Sequence, residues 1–160
     1  MQIFLGPGDM AVATTIAAIR QGVNREVGIA NRKAGPQDPI TTDIVGVLGE
    51  LAFARWANVC PDFTTHLRSG GCDATYLGYA VDVKATRSPA GVLYVDARPN
   101  KQPDLYVLVH VDYATANLLG WCWAHEVSMR SYSRVDGADR IRHAELNDMR
   151  RLFHLAPKGA

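Results

Sequence analysis

Two aspartates and a lysine interrupt the stretch GCDATYLGYAVDVKAT (71–86), which otherwise reads as two strands around a tight turn. Side chains alternate faces along a strand. Val81, Val83 and Ala85 therefore share one face, and Ala80, Asp82, Lys84 and Thr86 the other. A two-residue turn at Leu77 and Gly78 pairs Tyr76 with Tyr79, Thr75 with Ala80 and Ala74 with Val81, and brings Asp73 opposite Asp82. Cβ atoms in such a pair lie about 4.5–5.5 Å apart, and like charges there repel. Two compensations are at hand. One is the Lys84 ammonium along the same face; the other is a divalent cation, because carboxylates converging with a carbonyl oxygen form the hard-oxygen site that Mg²⁺ prefers. The register has an alternative. Leu-Gly is not a favoured hairpin turn, since type I′ needs a positive φ at Leu77, and a one-residue slip sends Asp73 to the opposite face. Each residue also has a plainer reading: Asp73 as a turn residue, Asp82 and Lys84 as an incidental ion pair on a solvated face.

A further carboxylate stands out in TTDIVGVLGELAFARWANVC (41–60), a helix with Thr42 or Asp43 as its cap. Nearly every position from 44 to 59 is apolar or small, so the helix is expected to be buried on most sides. Glu50 has Gly46, Val47, Phe53 and Ala54 as its helical neighbours. An ionised carboxylate there is costly unless something pairs with it. A functional role and a glutamate that reaches water or a core arginine remain equally open.

The elements that must position these groups are legible in outline. Ile16, Ile19, Val23, Val27 and Ala30 recur at steps of three and four, giving a first helix over 10–33 with Asp9 as N-cap and a stop at Gly35-Pro36. Arg20, Arg25, Arg32 and Lys33 lie off that stripe, solvated or within reach of phosphates. FTTHL, DATY, YAVDVKAT, GVLYVD, DLYVLVHVDYA and NLLGWCWA read as strands, and the continuous apolar run at 105–111 as a central strand covered on both faces. HEVSMRSYSRV and RHAELNDMRRLFHLA read as two short helices. The expectation is a single α/β (α+β) domain over 1–160, a mixed central sheet flanked by helices: an N-terminal helical part (1–36), a core (43–123) and C-terminal helices (124–160).

Composition narrows the partners. The chain has 160 residues and a formal charge of +1, from 17 basic and 16 acidic side chains, so it offers no strong overall field for a polyanion. Contact with one needs a local patch or a metal ion. Cys60, Cys72 and Cys122 form no CxxC pair, and the five histidines show no HExxH or zinc-finger spacing. His110 alternates with core valines, and Trp56, Trp121 and Trp123 read as core or interface residues. The N-terminus lacks the pattern of a signal peptide, and no apolar run is long enough to span a membrane. A cytoplasmic protein without a membrane partner is expected.

The order of these residues, Glu50 in GVLGELAFARW, Asp73 in GCDAT, then Asp82 and Lys84 in VDVK, resembles the PD-(D/E)XK nuclease superfamily, with its restriction-endonuclease-like fold. Small phage and bacterial members are similar in length and order. The resemblance covers about residues 43–112, with PDLYVLVHVD similar to the core strand after the active-site hairpin and a weaker similarity in LLGWCWAHEV. CD stands where the family has PD. Where the family places a helix after the lysine strand, this chain has the strand-like VLYV.

The resemblance implies a Mg²⁺-dependent deoxyribonuclease, with Mn²⁺ able to substitute, acting on DNA, branched and single-stranded forms included, in a bacterial or phage-infected cell. Asp73, Asp82 and the Val83 carbonyl would hold the metal, and Glu50 a second ion or the first through water. Lys84 would orient or deprotonate the attacking water or steady the developing charge. Arg87, Lys101 and Gln102, with Arg98, follow the hairpin and are candidate phosphate contacts or a solvated basic loop. Two other readings stay open: a non-catalytic module on the same fold that binds nucleic acid or protein, and a nuclease that needs a homodimer or larger assembly to supply its basic surface.

Overall fold

The computed structural model describes residues 1–26, 38–64, 72–96, 102–135 and 137–159. Its elements run β1 (Gln2–Phe4), α1 (Pro7–Glu26), α2 (Pro39–Ala57), β2 (Ala74–Tyr76), β3 (Tyr79–Thr86), β4 (Val92–Asp96), β5 (Leu105–Asp112), β6 (Thr115–Trp123), α3 (Val127–Arg130), β7 (Ser133–Val135) and β8 (Ala138–Arg142). The fold is mixed α/β in one domain. A five-stranded sheet in the order β1-β6-β5-β3-β2 is antiparallel except for β3 and β5, which run parallel.

Both faces of this sheet are covered, which is why β5 is apolar and buried from Leu105 to Val109. Leu105, Val107, Val109 and Val111 pack with α2 in one core, around Leu48, Phe53 and Trp56. Tyr106 and Leu108 face a second core with Leu93, Val95, Ile141, Cys122 and Val127. The layer over that second face is a small sheet, β4-β8-β7, rather than helices. The crossover from β3 to the parallel β5 therefore passes through a strand of another sheet.

Helix limits differ from the sequence reading for identifiable reasons. Asp38, not Thr42 or Asp43, caps α2: its carboxylate accepts the Thr41 N–H at 3.1 Å, and Pro39 suits the first helical turn. Helix α1 begins at Pro7, and Asp9 sits in its first turn with its carboxylate accepting the Gly6 N–H at 2.7 Å. The buried stripe of α1 is Ala13, Ala17 and Gln21, whereas Ile19 is 44% exposed. Of the expected stripe, Ile16 is half-buried against the first core. Val27 and Ala30 lie outside the described residues.

Gly49 lets α2 lie close against the sheet: a Cβ there would stand 2.8 Å from the Ala85 Cβ. The two expected C-terminal helices shrink to α3 and three 3₁₀ segments, Ala124–Glu126, His143–Glu145 and Met149–His154. SRV forms β7 instead, pairing antiparallel with β8 through Ser133 with Arg140, Arg134 with Asp139 and Val135 with Ala138. FTTHL is not a strand at Phe63 and Thr64, and the rest of it lies outside the described residues. Among the described residues, no helix is long and apolar enough to cross a membrane.

Candidate functional site

The hairpin turns as its sequence requires. Leu77 (φ 49°) and Gly78 (φ 82°) both take positive φ, the signature of a type I′ turn. The register is Tyr76 with Tyr79, Thr75 with Ala80 and Ala74 with Val81. There the ladder stops, one pair short of setting Asp73 against Asp82. Asp73 donates its N–H to the Val81 carbonyl at 2.9 Å, and its Oδ2 accepts the Val83 N–H at 2.6 Å. The carboxylate thus takes the bond that a further backbone partner would have made on the open edge of β3. Asp73 is thereby fastened to the residue between Asp82 and Lys84.

Asp82 is 2% exposed, in register with Tyr106 on β5, and its side chain belongs to the face of the second core. Lys84 Nζ reaches both of its oxygens, at 3.1 and 2.9 Å, while remaining about a third exposed. The ammonium thus contacts the buried carboxylate while part of it stays open to solvent.

Glu50 is buried on α2 and meets Arg20 of α1, whose Nη1 and Nη2 donate to its two oxygens at 2.8 and 3.0 Å. Of the two readings of Glu50, the core-arginine contact is present. Burial disfavours the charged Arg20, but the bonds and charge of Glu50, with the charges of Asp73 and Asp43, outweigh it and raise its pKa above the ordinary value. The Asp73 carboxylate is bonded to the backbone of β3, and its charge adds to the field at Arg20. No sequence signal joins residues 20 and 50; only the packing of α1 on α2 does.

The remaining expected residues are dispersed. Arg87 is exposed, with its guanidinium 5.7 Å from the centroid of the Tyr113 ring. Gln102 is exposed, and Lys101 and Arg98 lie outside the described residues. Arg32 and Lys33 lie outside them as well. Trp56 and Trp121 are buried in the first core, with Trp123 packed against it. Two clefts of about 530 and 700 Å³ share Asp148 and Arg150 in their walls, and neither is lined by Glu50, Asp73, Asp82 or Lys84.

The donor chemistry for a metal is partly met. The Asp73 carboxylate, just before β2, and the Asp82 carboxylate and Val83 carbonyl, in the middle of β3, are hard oxygen donors, whereas Glu50 is engaged by Arg20. Among the described residues, no group of three or more His, Cys, Asp or Glu side chains is arranged to hold a metal ion. Both Asp82 oxygens are engaged by Lys84 Nζ, and Asp73 Oδ2 by the Val83 N–H.

Residues 5–130 match the profile of a protein family described as a family of unknown function (DUF5843). Comparison with curated proteins and with solved structures gave no match.

Proposed function

The chain belongs to the family of unknown function DUF5843, and we propose that it is a metal-dependent nuclease hydrolysing phosphodiester bonds of DNA. The observation that supports this most is the tether of Asp73 to the Val83 N–H, which ties one carboxylate to the strand carrying Asp82 and Lys84. Asp73, Asp82 and the Val83 carbonyl would hold Mg²⁺ or Mn²⁺. When bound, the ion would supply charge neutralisation at the phosphoryl oxygen and a more acidic water.

The chain's own groups do the rest. Buried Asp82 holds the Lys84 ammonium in place, so its Nζ can steady negative charge on a non-bridging oxygen or orient a water for attack. Arg20, already under the field of Asp73, is placed to take a phosphate oxygen if it leaves Glu50. Glu50 would then be released toward the metal or its water.

A second reading has an observation of its own. The two-pronged Arg20–Glu50 pair satisfies Glu50 without any metal, as a purely structural contact would. On that reading the domain binds nucleic acid or protein without cutting.

The two separate in a cleavage assay with supercoiled, linear, branched and single-stranded DNA in Mg²⁺ or Mn²⁺, with chelator controls. Cleavage is expected to need metal and to fall roughly 10²-fold or more in Asp82→Asn and Lys84→Ala, the size of losing one charge-stabilising group. Cleavage that persists in both folded variants would refute the assignment.

A further inference from the structure

The small β4-β8-β7 sheet covers the second core with one face and leaves the other outward. Leu93, Val95 and Ile141 point in. Their strand neighbours Val92, Tyr94, Arg140 and Arg142 point out, with Tyr94 directly across from Arg140, Val92 from Arg142, and Ser133 of β7 from Arg140.

This outward face is not an ordinary solvated surface. The Arg140 guanidinium lies 5.1 Å from the centroid of the Tyr94 ring, and that of Arg142 lies 4.4 Å from the centroid of the Tyr132 ring. Both tyrosines are about two-fifths exposed. The outward strand positions include one carboxylate, Asp96, at the far end of β4. Arg140 Nε is buried without a hydrogen-bond partner, as is Ser133 Oγ across the ladder from it. An orphaned donor costs free energy, and a swing of the guanidinium toward a phosphate would satisfy it.

We infer that this face binds single-stranded nucleic acid, with bases stacked on Tyr94 and Tyr132 or their guanidinium planes and phosphates taken by Arg140 and Arg142. Rings lying on an open sheet can stack only on bases that are already unstacked, which favours a single strand over a duplex. The cations meet the phosphate charge that the near-neutral chain as a whole does not attract. A protein partner is less well matched, because Val92, half-buried, and Val135 are the aliphatic side chains larger than alanine at these outward positions. The inference names the form of the substrate in the proposed function, yet it concerns binding alone, so cleavage and binding can fail separately.

The test is fluorescence anisotropy with the whole chain in chelator, using labelled oligothymidylate, oligouridylate and a duplex. The oligomers would be longer than the ~4–16 nucleotides that one stacking surface covers. Single strands should bind at least ten-fold more tightly than duplex, and the two sugars show whether DNA or RNA is preferred. Tyr94→Leu and Tyr132→Leu should each weaken binding by about five-fold or more, the size of losing a stacked base. Arg142→Gln, an exposed change that leaves the core intact, should weaken it and lower its salt dependence. Circular dichroism checks the fold of each variant, and Arg142→Gln decides if a tyrosine variant unfolds. Absence of binding, equal binding of duplex, or undiminished affinity in the folded variants would overturn the inference and leave the face to a protein partner.

Discussion

The Arg20–Glu50 pair costs more to break than to replace. Glu50 is nearly buried and Arg20 about a quarter exposed, so removing either side chain alone strands a charge in a poorly solvated place. Glu50→Ala or Arg20→Ala should each lose on the order of 2–3 kcal/mol in urea unfolding. The double change Arg20→Met with Glu50→Leu should recover most of it, since apolar replacement of a buried pair is often neutral. If the double variant is as unstable as the singles, packing rather than charge holds the pair.

A second residue-scale test concerns pH. The Lys158 ammonium, with the Ala80 N–H, holds the Asp104 carboxyl below its ordinary pKa, through bonds of 2.7 Å. A carboxyl depressed by folding contributes stability above its unfolded pKa, and that stability is lost as pH falls through the folded value. Wild type should therefore lose stability in acid more steeply than Asp104→Asn, read as unfolding midpoints from neutral pH downward. Parallel curves would mean that the contact contributes nothing.

At the scale of elements, the β2–β3 hairpin is readable from the sequence and its end is not. Alternation in YAVDVKAT and the Leu77-Gly78 turn predict the three ladder pairs that form. What alternation cannot see is that Asp73 bonds the backbone of β3 with its side chain, which ends the ladder and removes the direct opposition to Asp82. The β7–β8 hairpin has its own sequence signal, Asp-Gly at 136–137, with Gly137 at φ 79°. The helical reading of 124–160 holds for short helical segments at 124–130, 143–145 and 149–154, whereas Ser133–Val135 is a strand of the β7–β8 hairpin. Glu50 is legible as an anomaly, but its partner is not, being 30 residues away on another helix.

The turn itself yields a prediction. Leu77 holds a positive φ that costs a side chain with Cβ about 1–2 kcal/mol, and it is more than a third exposed. Leu77→Asn, giving the favoured Asn-Gly turn, should raise the unfolding free energy by up to about 1 kcal/mol. A loss of stability would place another constraint on that turn.

For the whole molecule, the chain divides its work between two layers on one sheet. Helices α1 and α2 hold Glu50 and Arg20 on one side, Asp82 and Lys84 face the other, and Asp73 is bonded to the Val83 N–H at the open edge of β3. Composition could not locate this, because a net charge of +1 conceals carboxylates and cations concentrated at separate places. Why a chain should carry buried charge at that edge is the central question, and a cation held by Asp73, Asp82 and Val83 would answer it. Titration of Mn²⁺ into the purified protein, followed by calorimetry, tests it without knowledge of the substrate. The account predicts saturable binding that disappears in folded Asp82→Asn, whereas a wild-type protein that takes up no Mn²⁺ would contradict it.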